Sequence, residues 1–199
     1  MSIEPLAHYS YDTYLQLEQE SDEKYEYHDG MITCMAGGTP NHSLIAGNAL
    51  TSLNLYLRQA QKPCSIYIGD AKIQIKATIR SFYPDLSVIC GDPIYGETDP
   101  LALINPILTV EVLSDSTVAF DRGEKFFHYR QLSSLKQYVL IDQKSPTVDT
   151  FFRKPDGSWE IDIQKGLESV VSLKALGCEL ELKEVYFRVP GIDPVVSQQ

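Results

Sequence analysis

Hydrophobic residues recur along the chain at two spacings, which predict an alternation of helices and strands. Apolar residues repeat at helical spacing over 45–60 and stop before Pro63, so a long helix is predicted there, and Asn41 can cap its start. Ser10 precedes a short amphipathic pattern that predicts a first helix ending near residue 20. Asp29-Gly30 lies between two β-prone segments and predicts a hairpin, in which Glu26 and His28 share one face of the first strand.

The middle of the chain predicts buried strands. Segments 84–90 and 106–113 are dense in apolar and β-branched residues, and a helical pattern over 118–132 separates the second of them from the apolar run 138–142. The order strand, helix, strand predicts a parallel crossover. Segment 71–77 alternates apolar and polar residues, which predicts one solvent-facing side. Further strands are predicted at 64–69, 148–153, 159–164 and 179–182, followed by a tail at 190–199.

Composition narrows the class of protein. The 199 residues, with 43% hydrophobic and 22% charged residues, predict a single globular domain over 1–199 with its core at about 10–185. The start of the chain lacks the features of a signal peptide and no apolar run approaches the length of a membrane span, so we expect a cytoplasmic protein without membrane contact. The four cysteines form no Cys-x-x-Cys pair, and we expect them to be reduced.

Charge limits the possible partners. Seventeen Lys and Arg residues stand against 27 Asp and Glu residues, giving a net charge of −10 that disfavours electrostatic coating of nucleic acid or anionic lipid. A polyanionic partner would therefore need a bound metal or a local basic rim. The candidates for such a rim are Arg58, Lys62, Lys72, Lys76 and Arg80.

Asp85 and Glu111 are the carboxylates that call for an explanation, because each belongs to a predicted central strand. A carboxylate among apolar residues costs several kcal/mol unless it is paired, protonated or bound to a cation. Two carboxylates on neighbouring strands can converge on Mg²⁺, and a strand carbonyl beside Glu111 can supply a third oxygen ligand. A buried ion pair or a strand-end cap is the alternative interpretation.

Lys125 is the natural third partner of these carboxylates. It lies in the helix predicted after the Glu111 strand, and its flexible ammonium can reach back over the strand ends to orient or deprotonate a water molecule. Asp121, Lys125 and Tyr129 are spaced four apart and therefore share one helix face. The same face could be a solvated ladder of ion pairs.

An ordered series of motifs over residues 10–185 resembles the Uma-type restriction endonuclease family, which belongs to the PD-(D/E)XK nuclease superfamily. The motifs are Tyr25-Glu26-Tyr27-His28-Asp29-Gly30, the 35–42 turn, Tyr83-Pro84-Asp85-Leu86-Ser87-Val88, Val110-Glu111-Val112-Leu113-Ser114, Asp121 through Lys125 to Tyr129, and Tyr138-Val139-Leu140-Ile141-Asp142.

The resemblance implies a restriction endonuclease-like α/β fold, with a mixed central β-sheet flanked by helices, and divalent-metal-dependent hydrolysis of phosphodiester bonds. Asp85 and Glu111 match the two acidic motif residues, and with the Val112 carbonyl they would hold Mg²⁺ or Mn²⁺. The chain departs from the superfamily pattern two residues after Glu111, where Leu113 stands in place of lysine. The lysine role would therefore pass to Lys125.

Four other residues are candidates for the site, each with an ordinary alternative. Glu26 is an upstream acidic group near the metal, or a partner of Lys24 or Lys72. His42 contacts phosphate, or is a locally bonded residue in the first turn of its helix. Lys72 touches the DNA backbone, or lies on a solvated face. Tyr129 contacts substrate, or packs in the core with a polar end.

The predicted function is hydrolysis of DNA by a metal-dependent nuclease whose catalytic residues are Asp85, Glu111, Lys125 and Glu26. Because cutting a duplex requires two cleavage events, we expect a homodimer, in which each protomer can cut one strand. One alternative is a catalytically inactive nuclease-fold module that binds nucleic acid or another protein, which the displaced lysine and the net charge favour. A hydrolase of another phosphate ester is a third possibility.

Overall fold

A six-stranded mixed β-sheet forms the centre of the fold in the computed structural model, which describes residues 8–35 and 37–192. Its strand order is β10-β9-β8-β7-β6-β3, and β7 and β8 form its parallel pair. The strands are β3 (Cys64–Ile68), β6 (Leu86–Cys90), β7 (Leu108–Leu113), β8 (Gln137–Asp142), β9 (Thr147–Arg153) and β10 (Trp159–Lys165).

A second sheet of four strands has the order β2-β1-β5-β4. It contains β1 (Tyr25–His28), β2 (Met31–Cys34), β4 (Ile73–Ile75) and β5 (Arg80–Phe82), and a separate hairpin pairs β11 (Val170–Leu173) with β12 (Cys178–Glu181). The turn between β1 and β2 places Asp29 and Gly30 at φ values of 49° and 87°, the left-handed conformation that Asp-Gly accommodates in two-residue hairpins.

Helices flank the central sheet. They are α1 (Tyr11–Glu20), α2 (Pro40–Gln59), α3 (Val118–Phe120), α4 (Phe126–Tyr129) and α5 (Leu182–Val185). A π-helical segment, Asp121–Lys125, joins α3 to α4, so the crossover from β7 to β8 contains a wider turn in its middle. Among the described residues, no helix combines the length and apolar character required to cross a bilayer.

The two faces of the central sheet bury different groups. Ile45, Ala49 and Leu53 of α2 pack with Val110 and Val112 on one face. On the other face, Leu113 belongs to a cluster with Ile73, Phe82, Tyr129 and Tyr138. Because side chains alternate along a strand, Glu111 projects to the same face as Leu113. The carboxylate is therefore directed between the central sheet and the second sheet.

The expected α/β fold is confirmed, with its mixed sheet, flanking helices, β1–β2 hairpin and parallel crossover. Thr39, rather than Asn41, caps α2, since its side chain accepts a hydrogen bond from the His42 N–H. Strand β5 lies in a stretch where no strand was predicted. Of the predicted tail at 190–199, positions 193–199 lie outside the described residues.

Two sequence predictions are wrong. The strand predicted at 71–77 has no solvent-facing side in its central part, because all three residues of β4 are buried and Lys72 beside it is only 4% exposed. The cysteines are not all reduced, because Cys64 of β3 and Cys90 of β6 lie directly opposite each other and form a disulfide. Facing positions on neighbouring strands bring cysteines close regardless of their separation in the chain.

Candidate active site

Lys125 binds three carboxylates between the two sheets. Its Nζ lies 3.0 Å from Oε1 of Glu111, 3.4 Å from Oε1 of Glu26 and 3.5 Å from Oδ1 of Asp121. Glu111 is 4% exposed and Lys125 is 5% exposed, so this is a buried cluster and the solvated ladder of ion pairs is excluded. The residues come from β1, β7 and the crossover, which meet only in the folded chain.

Asp85 lies close to Glu111, at the start of the neighbouring strand. Strands β6 and β7 pair antiparallel with Leu86 opposite Val110, and Asp85 is the residue directly before β6. Its carboxylate is one of the neighbouring negative charges that raise the pKa of Glu111. Oδ2 of Asp85 also accepts a hydrogen bond of 2.7 Å from the Val112 N–H. The sheet thus brings the two predicted acidic residues together beside Val112.

His42 extends this site from the first turn of α2. Its Nε2 lies 3.3 Å from Oδ2 of Asp85, and the nearby Val112 backbone also favours the protonated ring, which raises the pKa of His42. The Asp85 hydrogen bond is the largest influence on the imidazole and, against the opposing effect of burial, the pKa of His42 is raised. The structure therefore places His42 against two of the three predicted metal ligands.

Hydrogen bonds fix the remaining carboxylate positions. Tyr129 donates from its hydroxyl to Oε1 of Glu111 at 3.2 Å. Oε1 of Glu26 accepts from the Tyr83 N–H at 3.3 Å, and Oε2 of Glu26 lies 3.3 Å from Nε2 of His28. Glu26 is thus held from both sides, and its predicted pairing with Lys24 or Lys72 is replaced by contacts with Lys125 and His28.

Negative charge exceeds positive charge in the cluster formed by Lys125 and its three carboxylates. Burial raises the pKa of Glu111 well above its usual range; Lys125 opposes this effect, whereas neighbouring carboxylates reinforce it. Burial disfavours the ammonium of Lys125, but the attraction of Glu111 and Glu26 outweighs burial and raises the lysine pKa. Lys125 is therefore a cation at neutral pH, surrounded by more negative charge than one ammonium can compensate.

Comparisons with known proteins identify the family of this chain. The Uma2 family, described as "Putative restriction endonuclease", matches residues 11–183. The chain belongs to the Uma2 family. The family resemblance seen in the motifs is confirmed, and the match includes Glu26, Asp85, Glu111 and Lys125.

Two proteins of Synechocystis sp. are similar to this Uma2-family chain. The protein slr1290 is 36% identical over 182 residues, covering 92% of this chain and 93% of its own, and sll1609 is 35% identical over 146 residues, covering 73% and 81%. Both are named as uncharacterized proteins. A crystal structure from Anabaena variabilis, titled as a putative nuclease belonging to DUF820, matches with a TM-score of 0.68 at 19% identity, covering 86% of this chain and 96% of the other.

The donor set in this Uma2-family chain fits a hard divalent cation. Over residues 8–35 and 37–192, no three His, Cys, Asp or Glu side chains form a ready metal-binding group. The candidate ligands are instead two carboxylates, of Asp85 and Glu111, and the Val112 carbonyl. All three are oxygen donors, as Mg²⁺ and Mn²⁺ prefer. The excess negative charge around Glu111 is of the sign that a cation would relieve.

Lys72 lies apart from these residues. Its ammonium binds Glu18 and Asp99, the latter at 2.6 Å, and Tyr83 and Tyr11 complete the network through hydrogen bonds to the same two carboxylates. Lys72 is therefore buried within the fold, and the structure does not bring it to the carboxylate site. The predicted basic rim is also incomplete, because Lys76 pairs with Glu97 and Arg80 is buried.

Two further residues, His28 and Tyr83, contact Glu26 in the site although neither was a predicted site residue. His28 contacts Glu26, and the Tyr83 backbone positions the same carboxylate. The spacing of Glu26 and His28 on one strand face was a signal for the first contact. The second depends on the pairing of β1 with β5, a strand that the pattern did not predict.

Proposed function

We propose that this Uma2-family chain is a metal-dependent nuclease that hydrolyses phosphodiester bonds of DNA. The observation that carries the proposal is the meeting of three groups in one site. Nζ of Lys125 lies 3.0 Å from Oε1 of Glu111, and Oδ2 of Asp85 accepts a hydrogen bond of 2.7 Å from the N–H of Val112, the residue after Glu111. The family and the fold support a restriction-endonuclease-like nuclease, while the metal and the DNA substrate are part of the proposal.

Asp85, Glu111 and the Val112 carbonyl would hold Mg²⁺ or Mn²⁺. When bound, the cation would supply stabilisation of negative charge on the phosphoryl oxygens. The antiparallel pairing of β6 with β7 supports this assignment, because Asp85 directly precedes β6 while Glu111 and Val112 belong to the neighbouring strand β7. The Val112 N–H holds one oxygen of Asp85, so the carboxylate enters the site in a defined orientation.

Lys125 would orient the attacking water rather than remove its proton. The neighbouring carboxylates outweigh burial and raise the pKa of Lys125, so its amine carries a proton at neutral pH and can only donate hydrogen bonds. Glu26 lies 3.4 Å from the same ammonium and is ionised, since Lys125 and His28 overcome the effect of burial and lower its pKa. Glu26 is therefore the better proton acceptor of the two.

His42 would border the substrate, whereas Tyr129, predicted to contact substrate, is fully buried in the core. His42 lies in the first turn of α2, where the helix dipole favours a phosphate, and its raised pKa favours the cationic ring. Tyr129 is buried with its hydroxyl on Glu111, which supports a role in positioning that carboxylate. A homodimer would allow both strands of a duplex to be cut.

Cleavage of supercoiled plasmid tests the proposal. Wild-type protein should nick or linearise plasmid in Mg²⁺ or Mn²⁺, and EDTA should abolish the reaction. Asp85→Ala and Glu111→Ala should each lower the rate at least about 100-fold, which corresponds to about 2.7 kcal/mol of lost transition-state stabilisation. Glu97→Gln is the matched control, because Glu97 forms an exposed ion pair with Lys76 and should retain full activity.

Metal binding gives an independent readout of the same site. Titration with Mn²⁺, followed by electron paramagnetic resonance, should show a site in wild-type protein and in Glu97→Gln that is lost in Asp85→Asn. Absence of both Mn²⁺ binding and cleavage in the wild type would reject the proposal. Cleavage that survives in Asp85→Ala and Glu111→Ala would assign the activity to another site or a contaminant.

A second candidate function is a catalytically inactive nuclease-fold module that binds nucleic acid or protein. The observation that favours it is the replacement of the motif lysine by Leu113, which is buried in the core. This module would bind DNA without cleaving it in either metal. The plasmid assay combined with a DNA-binding assay separates the two functions.

A further inference from the structure

We propose that a basic groove at the carboxyl end of α2 binds the DNA backbone at a distance from the cleavage site. The groove has a volume of about 500 Å³ and lies between the end of α2 and the start of β3. Its lining residues are Asn54, Leu57, Arg58, Gln61, Lys62, Cys64, Ser65 and Ile66. This inference rests on the proposed function, because DNA is its ligand.

The groove carries uncompensated positive charge. None of the eight described residues that line it is acidic. Arg58 and Lys62 are exposed and form no ion pair with any residue in the described part of the chain. Seven of the ten other lysines are neutralised by carboxylates, namely Lys24, Lys72, Lys76, Lys125, Lys144, Lys174 and Lys183. In a chain with a net charge of −10, two unpaired cations in one groove form a local site for an anion.

The groove is built on a fixed backbone. Gln61, two residues after the end of α2, has the left-handed conformation, with a φ of 50°. The Lys62 N–H then donates a hydrogen bond of 2.9 Å to the Leu57 carbonyl of the helix. This termination satisfies carbonyls at the helix end, which would otherwise repel an anion. The Cys64–Cys90 disulfide and the hydrogen bond from the Gly91 N–H to the Pro63 carbonyl then attach the segment to β6. Little ordering is therefore needed on binding.

The chemistry of the lining favours nucleic acid over an acidic protein. Asn54, Gln61 and Ser65 add neutral hydrogen-bond donors beside the two cations, the combination that proteins use to bind phosphate oxygens. Protein interfaces instead need an apolar centre with aromatic anchors, and the groove contains no aromatic residue among its described lining residues. Glu179 is nearby, since it influences the Cys178 thiol together with Lys62, but it does not line the groove.

The position of the groove sets its role. His42 and Arg58 are sixteen residues apart on α2, which corresponds to about 24 Å along the helix axis and about 160° around it. A DNA strand with one phosphate per about 3.4 Å would span the axial distance with roughly seven nucleotides while it crosses from one side of α2 to the other. The groove would therefore contact the substrate backbone away from the scissile phosphate, and would supply affinity without sequence preference.

Salt-dependent DNA binding tests the inference. The affinity of a 20-base-pair duplex is measured in EDTA, where cleavage is absent, for Arg58→Gln/Lys62→Gln and for the control Lys174→Gln/Lys183→Gln. Both double variants lose two positive charges and change the net charge from −10 to −12, so their long-range repulsion is matched. The control lysines pair with Glu160 and Glu181 outside the groove.

The expected result is a change in slope specific to the groove. The plot of log affinity against log salt should become shallower by about 1.8 in Arg58→Gln/Lys62→Gln, at about 0.9 per lost phosphate contact, and remain unchanged in the control. The charge-conserving variant Arg58→Lys/Lys62→Arg should retain the wild-type slope. Both replaced side chains are exposed, and circular dichroism checks that each variant is folded.

Polyglutamate serves as a second ligand that represents an acidic protein. The inference would be overturned by equal slopes in the groove and control variants, or by no binding of DNA by the wild type. It would also be overturned if Arg58→Gln/Lys62→Gln weakened the binding of polyglutamate and left the binding of DNA unchanged. The proposed nuclease activity is judged separately by plasmid cleavage. If the wild type cleaves plasmid but the groove and control variants have equal salt slopes, the groove is rejected and the nuclease proposal stands. A groove-dependent slope without cleavage in Mg²⁺ or Mn²⁺ rejects the nuclease and leaves a DNA-binding module.

Discussion

The ammonium of Lys125 lies 3.0 Å from Oε1 of Glu111, although Leu113 occupies the strand position two residues after that glutamate. The amine reaches the strand from the crossover that follows it, and the same ammonium contacts Glu26 and Asp121. The site therefore depends on one cation that serves three buried carboxylates.

Replacing Lys125 with Met should destabilise the protein in a pH-dependent manner. Removal of one partner from a buried ion pair costs about 3–5 kcal/mol, because the remaining carboxylates are left uncompensated. The loss should be largest at pH 7.5 and smaller at pH 5, where protonation of Glu26 or Glu111 relieves the repulsion. Urea unfolding at the two pH values measures the difference. Lys125→Arg keeps the positive charge and should lose less stability than Lys125→Met. An equal loss of stability in Lys125→Met at both pH values would indicate a packing effect.

Glu26 should contribute stability that disappears in acid. Burial opposes its ionisation, but Lys125 and His28 outweigh burial and lower its pKa below the ordinary value of 4.5. A depressed carboxyl pKa stabilises the folded state above the unfolded pKa, and the contribution is lost as the pH falls through the folded pKa. Glu26→Gln should therefore unfold more readily than wild type at pH 7, and the two should converge as the pH falls through the lowered pKa of Glu26. A difference that grows in acid would contradict this account.

Lys72 should be required for stability and not for catalysis. It is buried with Glu18 and Asp99, so Lys72→Met should lower the free energy of unfolding by about 3–5 kcal/mol. Cleavage per folded molecule should remain at the wild-type level in low salt. Lys76→Met is the matched comparison, since Lys76 pairs with Glu97 at the surface and should change stability little. A specific loss of DNA affinity in Lys72→Met would restore its predicted role in substrate binding.

The cysteines should titrate as two thiols and one disulfide. Cys34 and Cys178 are free, whereas Cys64 and Cys90 are bonded across a sequence separation of 26. Thiol titration in denaturant should count two groups before reduction and four afterwards. Reduction should also lower the free energy of unfolding by about 3 kcal/mol, because a loop of this length is no longer closed in the unfolded chain. Four thiols in protein purified without reductant would contradict the bond.

The sequence predicted those parts of the fold that depend on local pattern. The apolar repeat of α2, the Asp-Gly turn and the dense strands β6 and β7 are all readable within short windows. Strand β5 was missed because it has three residues and is held by pairing with β1 and β4. Lys72 was misjudged because its partners, Glu18 and Asp99, are distant in the chain.

The candidate site was predictable to a similar extent. Asp85, Glu111 and Lys125 were identifiable because charged residues in or beside apolar strands demand a partner. Their association with Glu26 required the contact between the two sheets, which no local pattern encodes. The cysteine bond was missed for the same reason, since the pairing of β3 with β6 decides which thiols meet.

The π-helical segment from Asp121 to Lys125 has a consequence for the recognition of related sequences. Because a helix delivers the amine, the separation between the strand glutamate and the lysine is set by the length of the β7-to-β8 connection. A sequence pattern that requires the glutamate and the lysine on one strand does not match this chain. A pattern that allows a variable gap between the glutamate and the lysine, and a tyrosine four positions after the lysine, does match it.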